Sequence, residues 1–374
     1  MSKDIEELLT RGVSEIIGQE KLKEKLASGR KLRIKLGIDP TSPNLHIGRA
    51  IPILKLRDFQ RLGHQVIFIV GDFTGEIGDT SDKDSERPML STEEIENNKK
   101  TYFEQVGKLI DLDKAELRNN SEWLEALSYR ELCKQADMFS VAEFIARENI
   151  AKRLKAGKRI SFREMLYPLM QGYDSVAVEA DVELGGTDQR FNLLAGRTMQ
   201  EKYGQDPQGI ITNPLIMGTD GRKMSSSWDN TITLTAEPND MYGKIMSISD
   251  DNVKIYFETC TRVSTVEIEE IIKSHPKVAK MRLAFEVTKM YHTEKEAKEA
   301  EENFESTFSK GGTPKDIETV KVDKDTPLVE IFLKQGLVSS KTEFNRLNKE
   351  GAIKEIENGV YRIGKHRFLR IEFL

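Results

Sequence analysis

Leu32, Ile34, Leu36 and Ile38 alternate with other residues at the two-residue period of a strand, and Ile51, Leu54, Leu56, Phe59 and Leu62 recur soon after at helical spacing. Gln65-Val-Ile-Phe-Ile-Val-Gly71 follows as a short β-branched apolar run, the pattern of a parallel strand buried on both faces. The order predicts a βαβ unit. Its first loop lies in LGIDPTSPNLHIGRA, Leu36 to Ala50, at the carboxyl end of a strand, where open α/β sheets bind ligands. A helix that starts there presents first-turn amides without internal partners, and these attract anions. Gly48 permits close backbone approach and His46 offers a donor to phosphate oxygens. His-x-Gly before a helix is equally compatible with a plain tight turn around a satisfied histidine.

The same patterning organises the rest of the chain. Residues 1–30 read as an amphipathic helical lead-in. GDFTGEIGDTSDKDSERP, dense in Gly, Asp, Ser and Thr, reads as a loop after the second strand. Ser91-Thr-Glu-Glu opens a helix with acids in its first turn, and helical pattern runs on to about Gly157, an insertion of about residues 90–157 between sheet halves. Helix resumes over 162–180, Val182-Glu-Leu-Gly-Gly-Thr-Asp-Gln189 passes from strand to helix, and GIITNP leads to the loop GTDGRKMSSSWDN. The reading is an α/β domain over 31–230, an all-helical domain over 231–308, a polar linker over 309–325 and a small α+β unit over 326–374.

Composition narrows the classes. The net charge of −5, with 32% charged residues, does not announce a nucleic-acid partner for the whole chain. The tail from Ile331 to Leu374 differs, with nine Lys/Arg against five Glu. Cys133 and Cys260 are far apart and lack a Cys-x-x-Cys partner, so neither a disulfide framework nor a zinc site is expected. MSKDIEELL has no basic segment ahead of an apolar core, and no stretch approaches bilayer length; the expectation is a cytoplasmic protein without membrane association.

HIGR (46–49) and KMSSS (223–227) resemble the HIGH and KMSKS signatures of class I aminoacyl-tRNA synthetases. YPLMQGYDS (167–175) and GGTDQ (185–189) resemble the amino-acid pocket of tyrosyl-tRNA synthetases, and SSKTEFNRLNKEGAIK resembles the S4 RNA-binding module of bacterial members. The chain is thereby similar to the bacterial-type tyrosyl-tRNA synthetases over roughly Lys31 to its end. A tryptophan–tRNA ligase and a catalytically impaired RNA-binding paralogue are the alternatives.

The resemblance implies a Rossmann-like catalytic domain, a tRNA-contacting helical domain over 231–308 and an S4-like RNA-binding domain over 326–374, tyrosine, ATP with Mg2+ and tRNA(Tyr) as reactants, no permanently bound cofactor or metal, and a homodimer formed through the insertion. Its apolar set (Phe139, Val141, Phe144, Ile145, Ile150, Leu154) serves as interface or as core. Thr41, His46, Arg49, Lys83, Arg87 and Lys223 are implied at the transferring phosphates. Asp39, Gly48, Gly186, Asp188 and Ser226 are implied at the nucleotide, with His46 and Lys223 again. Lys35, Gly37, Asp79, Tyr167, Gln171, Asp174 and Gln189 are implied around tyrosine, Asp174 as acceptor for the phenol. Three positions depart from the family pattern: Arg49 replaces the second histidine, Ser226 the second lysine, and Lys35 a tyrosine that touches the phenol in many members.

Overall fold

The computed structural model describes residues 3–81, 85–86, 88–309, 319–323, 326–338, 340–357, 359–364 and 367–373. The chain divides into two compact units, Met1–Glu294 and Lys295–Leu374.

A six-stranded sheet forms the centre of the first unit. Its strands are β1 (Glu15–Ile17), β2 (Arg33–Ile38), β3 (Gln65–Val70), β4 (Ala115–Asn119), β5 (Val182–Gly186) and β6 (Gly209–Asn213), in the order β1-β6-β5-β2-β3-β4. All neighbours are parallel except β1, which runs antiparallel to β6. The apolar residues of β3 are fully buried, as its β-branched run requires for a strand covered on both faces. β2 lies between β3 on one side and β5 on the other, so the strand order reverses at its carboxyl end and opens a crevice there. The helix Ile47–Arg61 returns the chain from β2 to β3.

Two strands fall in segments whose pattern reads as helical. β1 interrupts the lead-in: Glu15, Ile16 and Ile17 register against Thr212, Ile211 and Ile210 on the sheet edge. β4 lies inside the insertion and pairs with β3 from Ala115↔Val66 to Asn119↔Val70. Both are short and only partly buried, so neither carries a clear two-residue period. Asp72–Ile77, read as loop, is a short helix. Capping boxes at Ser91 with Glu94 and at Ser161 with Glu164 start two helices where the sequence places Ser three residues before Glu.

The helices from Pro238 to Tyr291 pack into the first unit and are not set apart from it. Arg262 pairs with Asp58 through two hydrogen bonds of 2.8 and 3.0 Å, and the Tyr256 hydroxyl donates to the Met217 carbonyl. Buried Lys55 donates to the carbonyls of Leu8 and Arg11, both at 2.7 Å, tying the first helix to the core. In the second unit, β7 (Thr319–Val322), β8 (Ile353–Glu357), β9 (Val360–Ile363) and β10 (Arg367–Phe373) form a sheet ordered β7-β10-β9-β8. β7 comes from the segment read as linker and pairs in parallel with β10. Ile331, Phe332, Val338, Ile363, Leu369 and Ile371 make the core of this unit. No helix among the described residues is long and apolar enough to cross a membrane.

Candidate active site

The crevice at the end of β2 holds a cleft of about 230 Å³. One wall is the loop from β2 into the Ile47–Arg61 helix. Arg49 donates to the Asp39 carbonyl (3.1 Å), to Thr41 Oγ1 (2.9 Å) and to the Tyr102 hydroxyl (3.3 Å), so its guanidinium braces the loop. Gln105 donates to the Pro43 carbonyl and accepts from the Leu45 amide, while the Tyr102 hydroxyl donates to the Ser42 carbonyl. The two prolines thus sit in a turn clamped from the Tyr102–Gly107 helix.

His46 is 6% exposed, and its Nδ1 has no hydrogen-bond partner among the described residues. Burial, reinforced by the cations Arg49 and Lys223, pushes the imidazole down to about 3, so the ring is neutral at physiological pH. A Cβ at position 48 would lie 3.1 Å from that Nδ1, so Gly48 accommodates the imidazole as well as leaving backbone open to the cleft.

The closed end of the cleft is built around two carboxylates. Asp174, 3% exposed, accepts from Trp123 Nε1 at 2.8 Å and from Asn120 Nδ2 at 3.3 Å. Burial lifts its carboxyl to about 7, although Lys35 and the two donors oppose the rise. Asp39 accepts from the Tyr167 hydroxyl at 2.8 Å and from Thr74 Oγ1 at 2.7 Å; burial lifts this carboxyl to about 6. Burial, reinforced by Asp39, pushes the Tyr167 phenol well above its ordinary range, so it stays a donor. Gly71 must be glycine here, because a Cβ would collide with Asp39 Oδ1 and Thr74 Oγ1.

On the other side, Gln189 Nε2 donates to Asp79 Oδ2 at 2.7 Å and to Ser81 Oγ at 3.0 Å. Lys223 pairs with Asp188 at 3.0 Å, holding the KMSSS loop over the cleft. Asn230, 1% exposed, fixes that loop by accepting from the Ser225 amide (2.8 Å) and donating to the Lys223 carbonyl (3.0 Å) and to Asp220 (2.7 Å). Ser226 Oγ lies 3.5 Å from Ser42 Oγ, so the two signature loops meet.

The structure brings together at this cleft Gly37, Asp39, Thr41, His46, Gly48 and Arg49 from the first loop. Asp79 lines it from the loop just after the Asp72–Ile77 helix, Tyr167, Gln171 and Asp174 from the Phe162–Ala177 helix, and Gly186, Asp188, Gln189, Lys223 and Ser226 from the far side. Lys35 is not among the lining residues: it is 0% exposed and pairs with buried Glu183, which corrects its placement against the phenol. Its alternation with Ile34 and Leu36 turns it to one face of β2, and that face is covered by the Phe162–Ala177 helix, to whose Gln171 carbonyl it donates. Lys83 and Arg87 lie outside the described residues. Sequence reasoning missed Tyr102, Asn120, Trp123 and Asn230. Asn120 and Trp123 follow a strand that the pattern does not reveal, and Asn230 stands within a loop whose lysine and serines drew the attention.

A mostly parallel sheet whose switch-point crevice faces His-x-Gly on one side and a lysine-bearing loop on the other has the form of a class I adenylate-forming core. A sequence model of the family described as tRNA synthetases class I (W and Y) matches residues 26–309, and the chain belongs to that family. It is 43% identical to the tyrosine–tRNA ligase of Thermotoga maritima over 97% of this chain and 96% of that one, and 44% identical to the tyrosine–tRNA ligase of Aquifex aeolicus over 97% of each. The fold is similar to that of the tyrosyl-tRNA synthetase of Archaeoglobus fulgidus, solved with L-tyrosine, with a TM-score of 0.63 at 22% identity over 80% of this chain and 100% of that one. A truncated mitochondrial tyrosyl-tRNA synthetase of Aspergillus nidulans gives 0.68 at 21% identity over 82% and 95%.

Proposed function

We infer that the protein activates tyrosine with ATP and transfers it to the 3′ end of tRNA(Tyr). The observation that carries the amino acid's identity is Asp174. At the closed end of the cleft, its carboxylate is aimed by Asn120 and Trp123 and keeps acceptor capacity for one more donor, as a phenol requires. Full-length likeness to tyrosine–tRNA ligases favours this reading over tryptophan, and an intact cleft favours an enzyme over an RNA-binding paralogue.

In the first step a carboxylate oxygen of tyrosine attacks the α-phosphorus of ATP, and the bond to the bridging oxygen of pyrophosphate breaks. No side chain exchanges a proton; positioning and charge stabilisation carry the step. Asp79, Tyr167, Gln171 and Gln189 surround the amino-acid ammonium and carboxylate, and the phenol donates to Asp174. The nucleotide, entering with Mg2+, lies against Asp39, Gly48 and Gly186, with its ribose at Asp188. Neutral His46 donates to the phosphates together with Thr41, which Arg49 orients. Lys223 leaves Asp188 as the ribose arrives and meets the departing pyrophosphate, the charge that grows in the transition state. Lys83 and Arg87 add cations there, and Ser226 leaves the second KMSKS charge to them and to Arg49. In the second step a terminal ribose hydroxyl of tRNA attacks the tyrosyl carbonyl and AMP departs.

The assembly is a cytoplasmic homodimer. Tyr129 (87% exposed), Val141, Ile145, Leu154 and Phe162 (75% exposed) place apolar surface on one stretch of the first unit, while Phe144 and Ile150 are core. The second unit, with basic Lys341, Lys349, Lys354 and Arg370 at its surface, binds tRNA. ATP–pyrophosphate exchange tests the reading: tyrosine is the standard amino acid that supports it best, and equal or better exchange with tryptophan overturns it.

A further inference from the structure

Lys35 is a buried lysine with every donor used. It registers against Glu183 across β2 and β5, and its ammonium meets Glu183 Oε1, the Gln171 carbonyl and Ser175 Oγ, each at 2.9 Å. Glu183 is equally enclosed. Its Oε1 accepts from Gln171 Nε2 at 3.2 Å, and its Oε2 accepts from the Ser175 hydroxyl at 3.0 Å and from Gln208 Nε2. The pair therefore grips the helix Phe162–Ala177 on both sides of Asp174, through Gln171 and Ser175. Neither charge reaches solvent, so salt and water screen its field on Asp174 little.

We propose that Lys35, paired with Glu183, is a positioning residue for tyrosine selection: it fixes the helical turn that carries Asp174 and supplies the positive charge that keeps this carboxylate a hydrogen-bond acceptor for the phenol. This rests on the tyrosine reading given above. The charged and titratable groups acting on Asp174 and its neighbour are Lys35 from β2, Glu183 from β5 and Tyr167 on the same helix, the last held by Asp39 and facing Asp79; Asn120 and Trp123 are neutral donors. Lys35 draws the Asp174 carboxyl down and Glu183 pushes it up, so the two members of the pair act on it with opposite sign. Apolar replacements of similar volume often serve stability as well as a buried ion pair does, so stability alone does not account for charges at this place.

The test compares the pH dependence of KM for tyrosine in ATP–pyrophosphate exchange for the wild type, Glu183→Gln, and Lys35→Met combined with Glu183→Gln, which leaves no unpaired buried charge. The acid limb of tyrosine binding moves to lower pH in the single variant and to higher pH in the double, each by about half a unit or more, the scale of a neighbouring charge. The double variant loses at least about tenfold in discrimination against phenylalanine, because only tyrosine uses the acceptor, while KM for ATP holds. Shifts of one sign in both variants, or equal losses with tyrosine, phenylalanine and ATP, overturn the proposal and leave a structural pair. Tyrosine dependence of the wild type is read first, so failure of the tyrosine assignment is separated from failure of this one.

Discussion

At the scale of single residues, the cleft sets carboxyl groups where charge is costly and then uses them as acceptors. Asp174, lifted to about 7, accepts the phenol hydrogen most strongly when ionised, whereas protonation turns one of its oxygens into a competing O–H donor. KM for tyrosine is therefore expected to rise as pH falls through 7, by roughly tenfold per unit well below the carboxyl's own value, while KM for ATP changes less; a flat tyrosine profile from pH 8 to 6 would place the phenol partner elsewhere. The same shift acts on folding with the other sign: the native carboxyl binds its proton more tightly than the unfolded one, so between 7 and about 4 this group favours the native state more as pH falls. Lys223 works differently, since its carboxylate partner Asp188 is exchanged for charge that grows on the leaving group. Lys223→Ala is expected to lower kcat by about 10² to 10³ and to leave tyrosine KM within a few-fold, checked by steady-state exchange kinetics; a change confined to KM would mean a ground-state role.

At the scale of elements, β2, β3 and the helix between them are legible in the sequence because their burial is one-sided or complete, and either gives an unmistakable period. Asp39, His46, Gly48 and Lys223 are legible because loop residues at strand ends are few and their chemistry is plain. What escapes is whatever depends on contacts distant in sequence. β4 has five half-buried residues and no alternation, and with it went Asn120 and Trp123, whose donors reach Asp174 more than fifty positions away. Lys35 fell on the wrong side because nothing local tells which face of β2 the Phe162–Ala177 helix covers. Asn230 shows the same limit inside a loop: one buried amide joins the two arms of the KMSSS turn. Asn230→Ala should free that turn with little effect on the tyrosine pocket, which other elements build. The expected outcome is a loss of about tenfold in kcat, with each lost hydrogen bond worth roughly 1 kcal/mol, and a tyrosine KM within twofold; a comparable loss in tyrosine binding would show that the loop also shapes the amino-acid end.

At the scale of the molecule, the chain divides into two compact units, and the proposed function assigns chemistry to the first and RNA binding to the second. Every described residue of the cleft lies between Leu36 and Ser227, whereas the second unit from Lys295 holds its own apolar core around Phe332 and Ile371. The cut that separates them is set by β7, because Thr319–Val322 pairs with β10 and removal of the chain only from Thr326 onward would strip this strand of its partner. Termination after Glu294 is the cleaner division. Phosphate contacts dominate affinity for structured RNA and weaken as counterions accumulate, so the proposed RNA binding by a unit whose surface carries Lys341, Lys349, Lys354 and Arg370 would act mainly through charge and shape. The shortened protein is expected to retain tyrosine-dependent exchange within about twofold and to lose tRNA affinity and charging by at least about tenfold, and the full chain's tRNA affinity should fall steeply as salt rises from 50 to 200 mM, roughly the range over which several phosphate contacts cost orders of magnitude. Charging by the folded, shortened protein at the full chain's rate would assign tRNA recognition to the first unit alone; loss of exchange along with charging would make the second unit a packing element of the enzyme.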